Sequence, residues 1–479
     1  MSKGKDLEHE PLLPRGSDVA SSSTTTTATT TEEVLTAEEK LIEKRLIRKL
    51  DLSLLLWGFL AYWANGLDRN NMPNAYTTGM KEDLDLHNAA YNWAVTMFFI
   101  GYVCLQIPCN AIMPKVRPRI MMPLSVCLWG AMVSFMATVK THAGLFGLRI
   151  CLGFAEAPFY TGMIYLLGNW YTHQELGTRI AIFTAGHHFS GSFSGLISGA
   201  IAQTLDGAHG MRGWKWLFIT EGLIAICIGI VGFMVLPDYP HNTRFLSSEE
   251  RHVAIKRLEV QGKKVIATGF NMATLHNVCA TPYIYLFIII FICHHIGIGI
   301  LQQFAIILRE MGYDASFANY MTVPIYIVAV PVIVIQGHLS DRYGKRHMHI
   351  EIAASFALIS YILLVVVNHG HVPVALLFVC MYMVVPLLGT VSIMMAWNNE
   401  IHQADAETRA LAIAIVNTIG SLASEFIKVA AWTVTQAPEY RTGKIVSMCT
   451  TALMIVISYV TYKLEEKRIM LPKGRDDAL

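Results

Sequence analysis

Charge is scarce in this sequence. Asp, Glu, Lys and Arg make up 15% of its 479 residues, against about 25% in soluble globular chains. Apolar residues make up 53%, so the chain does not read as a water-soluble globule. The few charges nearly cancel, at a net +2, and no long basic stretch with interleaved aromatics occurs. Nucleic-acid binding therefore has no support. The nine cysteines form no CxxC pair and lie mostly in apolar stretches, which excludes a disulfide framework or zinc site as the expectation. No Asn-x-Ser/Thr acceptor is present to mark an exposed loop. A cleavable leader is not expected, because the first apolar run begins only near Leu50. The polar stretches hold no nucleophile–base constellation and no cofactor-binding loop, so neither enzymatic activity nor a cofactor is expected.

What the chain does have is long apolar runs. Residues 1–36 are polar and include SSSTTTTATTT, a composition that cannot bury enough apolar surface to order itself and is expected to be a disordered tail. Within it, EHEPLLP sets Glu8 ahead of Leu12 and Leu13. That is the pattern of an acidic dileucine sorting signal, which leaves a vacuolar or endosomal membrane open beside the plasma membrane. Residues 37–50 alternate apolar and basic side chains at helical spacing and read as an amphipathic lead-in helix at the headgroups. Apolar stretches of spanning length then fall at 51–70, 90–113, 119–139, 144–167, 178–203 and 215–236. A second set falls at 281–308, 317–338, 348–368, 373–396, 408–434 and 443–463. The expected fold is an all-α membrane protein of 12 transmembrane helices in two six-helix halves, 51–236 and 281–463. A charged linker, 237–280, joins them, and a tail, 464–479, follows. Lys and Arg cluster after the second and eighth spans, in the linker and after the last span, which places both termini and the linker in the cytoplasm.

The fourth and first spans, among others, carry charges at membrane depth, where each costs at least about 2.5–3.5 kcal/mol and is rarely left facing lipid. In LRICLGFAEAPFYTGM, residues 148–163, Arg149 and Glu156 stand seven apart. They share one helix face, about 10 Å apart along the axis. Pro158 and Gly162 bend or thin the same run. The first span ends in GLDRNN, whose Asp68 and Arg69 point about 100° apart and so need different partners. These residues suggest a protein-lined cavity with a fixed cation and a titratable carboxyl; a purely structural ion pair is the alternative. Gln302 and Gln303 in the seventh span and Asn417 in the eleventh offer neutral hydrogen-bonding groups to such a cavity. Glu425 and Lys428 are three apart and within reach of each other. The pairs His187–His188 and His294–His295 could carry protons or serve as packing groups. Gly191, Gly195 and Gly199, spaced by four, suggest a close helix-packing face. Asn398, Asn399 and Glu400 are assignable to cavity or loop.

GHLSDRYGKRH, residues 337–347, follows the eighth span. Its Gly337, Asp341, Arg342, Gly344, Lys345 and Arg346 match G-x-L-x-D-R-x-G-R/K-R/K, the signature loop of the major facilitator superfamily. Glycines there allow a tight turn, and Asp341 could pair with Arg342 or a helix terminus as a gating latch. The first-half counterpart, NAIMPKVRPRI, keeps the basic residues but lacks the acid. LDRNNMPNAYTTGMKEDL, VRPRIMMPLSVCLWG, GNWYTHQELGTRIAIFTA, RGWKWLFITEG, LPDYPHNTRFLSSEER and WNNEIHQADAETRALAI, in that order, resemble the fungal anion:cation symporters of that superfamily. These include allantoate, nicotinate, biotin and pantothenate permeases, and the last two are closest in the first and last of these stretches. Bacterial sugar-acid symporters share the Asp-Arg of the first span and the Arg-(six residues)-Glu of the fourth.

The resemblance implies a proton-coupled importer of a small organic carboxylate, with pantothenate the best guess, acting as a monomer in the lipid bilayer with a substrate site between the halves. It also implies roles: Arg69 holds the substrate carboxylate, Asp68 pairs with Arg149 and titrates when that pair breaks, and Glu156 is the second proton site. Export of a metabolite acid, and a non-transporting nutrient sensor, are the rival readings.

Overall fold

The computed structural model describes residues 36–86, 90–260, 272–313, 317, 320–367, 373–402, 406–432 and 439–470. The Ser/Thr-rich tail, the dileucine pattern and the chain after Met470 lie outside them. Among the described residues every regular element is helical.

The lead-in helix, α1 (Ala37–Leu50), begins where the sequence places it. Thr36 and Glu39 form a reciprocal capping box, which satisfies two otherwise orphaned amides. The first half follows as α2 (Leu56–Ala75), α3 (Ala90–Ile112), α4 (Pro118–Met136), α5 (His142–Glu156), α6 (Phe159–Trp170), α7 (His173–Thr204) and α8 (Gly213–Val235). The linker contains α9 (Ser248–Glu259). The second half comprises α10 (Pro282–Gly297), α11 (Gly299–Glu310), α12 (Val323–Tyr343), α13 (Arg346–Val366), α14 (Val374–Val384), α15 (Leu387–Ile401), α16 (Ala406–Ala431) and α17 (Arg441–Met470). The last helix runs past Lys463, so 464–470 continue it where a tail was expected.

Three spans are broken. Pro158 separates α5 from α6, and Pro386 separates α14 from α15. A proline lacks the amide that continues the helix ladder and clashes with the preceding turn. The two breaks fall in the fourth span of each half. The third break, at Ile298, is flanked by Gly297 and Gly299, which pack on Leu387 and Trp432. Ten helical stretches among the described residues are long and apolar enough to cross a membrane. The two spans missing from that set are α2 and α7.

The halves meet along α7 against α12 and along α3 against α16. Within the first half, α3 and α5 touch backbone to backbone at glycines. A Cβ at Gly153 would meet the Tyr102 amide nitrogen at 2.6 Å. At the cytoplasm-assigned end, the charged side of α1 finds its partners on α9. Lys49 pairs with Glu250 at 2.5 Å and Lys256 with Glu39 at 3.0 Å, while Leu46 and Leu50 are buried. The Thr36 amide, followed by Lys256, holds the part-buried Glu39 carboxyl below the usual carboxylate range. Arg257 of α9 is buried, donates to the Trp170 carbonyl at 2.6 Å and pairs with Glu43 and Glu175. At the start of the linker, Asp238 accepts from the Arg119 amide at 3.4 Å.

The α3–α5 contact is testable. Gly153→Val is expected to force these helices apart, at a cost on the order of 1–3 kcal/mol. It should lower the thermal unfolding midpoint of the detergent-solubilised protein by several degrees. Gly147→Ala, whose Cβ meets nothing within 4 Å, should leave that midpoint unchanged.

Candidate functional site

Between the halves lies a cavity of about 940 Å³, at the upper end of what small-molecule sites enclose. Its wall includes Tyr62, Asn65 and Arg69 of α2, Glu156 of α5 and a face of α7. Across from these stand residues of α10, α12 and α16. This accounts for the weak apolarity of α2 and α7: each gives a polar stripe to the cavity.

The sharpest feature on the wall is an ion pair. Arg69 Nη2 lies 2.9 Å from Glu156 Oε2. Asn65, one turn before Arg69 and on the same face, donates to Glu156 Oε1 at 2.6 Å. The guanidinium lies over the rings of Phe98 and Tyr102, at 4.8 and 5.3 Å from their centroids, an arrangement that favours the cation. The carboxylate side chain is 2% exposed and the guanidinium side chain 32%. The pair thus offers its cation to the cavity and keeps its anion in the wall.

Asp68 and Arg149 take other places. Both are buried and neither contributes to the cavity wall. Turning Arg69 to the cavity sends its neighbour about 100° away, and the charged groups acting on Asp68 are Glu221 of α8, Glu156 and Arg149. Arg149 is the cation that acts on Asp68, while the cation lining the cavity in the first half is Arg69. The Arg149 guanidinium lies 5.9 Å from the Phe98 centroid, a ring it shares with Arg69.

In the second half, Gln302 lines the cavity, but Gln303 does not: its buried Oε1 lacks a hydrogen-bond partner. Asn417 lines it and donates to the Tyr102 hydroxyl at 3.4 Å, linking the halves. Thr418, beside it, bonds Gln106. All four histidines lie on the wall. His187 packs on Tyr62 with ring centroids 5.0 Å apart, and His294 Nδ1 is 2.9 Å from Thr390 Oγ1. Glu425 and Lys428 pair at 2.5 Å, also on the wall. The glycine stripe of α7 is a correction. Gly191, Gly195 and Gly199 face the cavity, and a Cβ at Gly195 or Gly199 would meet nothing within 4 Å. Small side chains there widen the cavity, whereas a packing seam would have brought a neighbouring backbone close.

One end of the cavity is shut. Asp341 of α12 accepts from the Gly177 and Thr178 amides of α7 at 2.9 and 2.5 Å, and from the Thr178 hydroxyl at 2.6 Å. It also pairs with Arg346 at 2.6 Å. Arg346 in turn binds Glu400 at 2.6 Å and donates to the His173 carbonyl at 2.8 Å. The partner of Asp341 is therefore Arg346; Arg342 and Lys345 are exposed. Gly344 ends α12 with φ +65°, a left-handed turn that favours glycine and brings Arg346 back under Asp341. Gly337 lets α12 close on α7, since a Cβ there would lie 2.6 Å from the Ala181 Cβ. Asn399 reaches the Ile164 carbonyl at 3.4 Å, and Arg409 bonds Asn169. Thr184 and Ser392, 2.6 Å apart, form the cavity floor above this clasp. Asn398 and Asn399 are thus buried in α15, neither cavity nor loop. Away from the clasp the wall runs to Gly199 of α7 and to Tyr320, which is 61% exposed, so the cavity opens there.

Two helical halves closed together at one end around a polar cavity are the architecture of a membrane carrier. Residues 58–427 match the Major Facilitator Superfamily, and the chain belongs to that family of membrane transporters, which are not enzymes. It is 31% identical to the MFS-type transporter cnsO of Penicillium expansum over 428 residues, covering 86% of this chain and 82% of that protein. It is 26% identical to the pantothenate transporter FEN2 of Saccharomyces cerevisiae over 451 residues, covering 91% and 87%. The solved structure of the proton:xylose symporter XylE superposes with a TM-score of 0.66 at 14% identity, covering 87% and 96%. The last likeness concerns the fold alone.

Asn65 and Tyr102 were not among the residues singled out in the sequence. Asn65 was within reach of inference, because it stands four before Arg69. Arg346→Ala is expected to strand Asp341 and the mostly buried Glu400. Removing one partner of a buried pair costs about 3–5 kcal/mol, so the thermal midpoint should fall sharply. Arg342→Ala, at an exposed site, should leave it unchanged.

Proposed function

We propose that this transporter is a proton-coupled importer of a small organic carboxylate. The observation carrying this reading is the Arg69–Glu156 pair, with its cation toward the cavity and its carboxylate in the wall. A substrate carboxylate needs that guanidinium, and Glu156 already holds it. Glu156 lines the cavity but is only 2% exposed, so it cannot swing away from Arg69, and a proton arriving through the cavity is the simplest agent that can release that cation. Protonation of Glu156 from the open side frees Arg69 for a charge-assisted contact with the incoming anion. Loss of that proton on the other side restores the pair and expels the anion. An anion accumulates against an inside-negative potential only if positive charge travels with it. Asp68, buried behind the wall within the influence of Arg149, is the second proton site in this reading. Gln302 and Asn417 contact the rest of the substrate.

The clasp centred on Asp341 and Arg346 is the gate. With both termini in the cytoplasm, the shut end faces the cytoplasm and the open end faces outward. The plasma membrane is the proposed location. Pantothenate is the proposed substrate, on the resemblance of the first-span and eleventh-span stretches and on the printed function of the yeast relative. Its single carboxylate suits one guanidinium.

The test is uptake of labelled pantothenate by a fungal cell lacking its own carrier, at external pH of about 5 and about 7.5, with and without a protonophore. Lower external pH raises the protonated fraction of a carboxyl, so uptake should rise on acidification and collapse with protonophore. Excess biotin, nicotinate and allantoate rank the alternatives. Glu156→Gln should abolish concentrative uptake while allowing exchange, and Arg69→Gln should abolish both. An unchanged proton dependence in Glu156→Gln would overturn the role of Glu156. Absent uptake at normal surface levels would overturn the importer.

A further inference from the structure

Among the described residues of the cavity wall, four side chains are ionisable as Lys, Arg, Asp or Glu, two on each half. They are Arg69 with Glu156, and Lys428 with Glu425. The proposed function uses the first pair only. The second is made on one helix, at an i,i+3 spacing that on a solvated surface would be routine. Its site is not a solvated surface. The Lys428 side chain is 11% exposed, and what it faces is the cavity. Holding a cation there costs desolvation that an apolar pair would avoid.

The two pairs differ in how their cations can be released. Glu156 is sealed in the wall, whereas the Glu425 side chain is 38% exposed. Glu425 can swing into the open end of the cavity without leaving a buried charge, so an arriving carboxylate can replace it on Lys428 one anion for another. The pairs also differ in depth. Asn417 stands level with Arg69, since its amide meets Tyr102, the ring beneath the Arg69 guanidinium. Lys428 lies eleven residues further along α16, a rise of about 16 Å, on the side away from the clasp, where Arg409 at the start of α16 bonds Asn169.

We infer that Lys428, held ready by Glu425, is an outer anion subsite that captures the substrate carboxylate before it reaches Arg69. The inference rests on the carboxylate reading of the Arg69 site. A molecule with one carboxylate cannot occupy both cations at that separation, so the subsites are filled in sequence. Lys428 then governs capture, and Arg69 governs translocation.

The test measures initial rates of labelled pantothenate uptake against concentration in cells expressing Lys428→Gln, Glu425→Gln or Lys428→Arg at matched surface levels. Lys428→Gln should raise KM on the order of fivefold and retain Vmax. Glu425→Gln, which leaves the ammonium unmasked, should lower KM. Lys428→Arg should restore the wild-type KM. If the two residues only brace α16, both Gln variants shift KM in the same direction or not at all, and the inference falls. A loss of Vmax at unchanged KM in Lys428→Gln also overturns it. Wild-type protein that takes up none of the four carboxylates removes the underlying reading as well, an outcome distinct from normal wild-type uptake with an unaltered Lys428→Gln.

Discussion

A guanidinium and a carboxylate share one polar wall, and the rest of the molecule is arranged around that contact. Arg69 and Glu156 come from the first and fourth spans, and neither would be tolerated facing lipid. Their meeting requires α5 to end at Glu156, where Pro158 interrupts the span, and it requires α3 to lie close enough for Phe98 and Tyr102 to support the cation. That close approach depends in turn on glycine at 153. The polar stripes of α2 and α7, too polar to count as ordinary spans, are a further consequence, because they line the space this pair opens into.

The clasp supplies the complementary constraint. A cavity open at one end needs the other end held, and the holding groups are mostly backbone amides and carbonyls met by side chains of the opposite half. Asp341 collects two amides and a hydroxyl, and Arg346 collects a carbonyl and two carboxylates. Such contacts are directional and break as a set, which suits an element with two discrete arrangements.

The helices were legible because spanning runs are long and apolar; Pro158 was read as a bend, and it breaks the fourth span outright. Side-chain pairing was less legible. Asp68 and Arg69 are adjacent in sequence, and which of them faces the cavity depends on the rotation of α2 against α5 and α8, a property of packing. The same applies to the glycines of α7, since a stripe of small residues looks identical whether it admits a neighbouring helix or open space. Arg342 was the basic partner expected for Asp341, and the left-handed turn at Gly344 instead leaves it outward and brings Arg346 under Asp341. The Glu425–Lys428 pair was readable from spacing alone, but its position on the cavity wall was not.

The linker helix α9 belongs, mechanically, to the half that precedes it. Arg257 holds the end of α6 and the start of α7, Asp238 accepts from the amide at the start of α4, and Glu250 anchors α1 through Lys49. By these contacts the first half extends to Glu259 and does not stop at the end of the sixth span. A transporter bisected into two co-produced pieces would have to be severed beyond that point for the first piece to keep its own bracing.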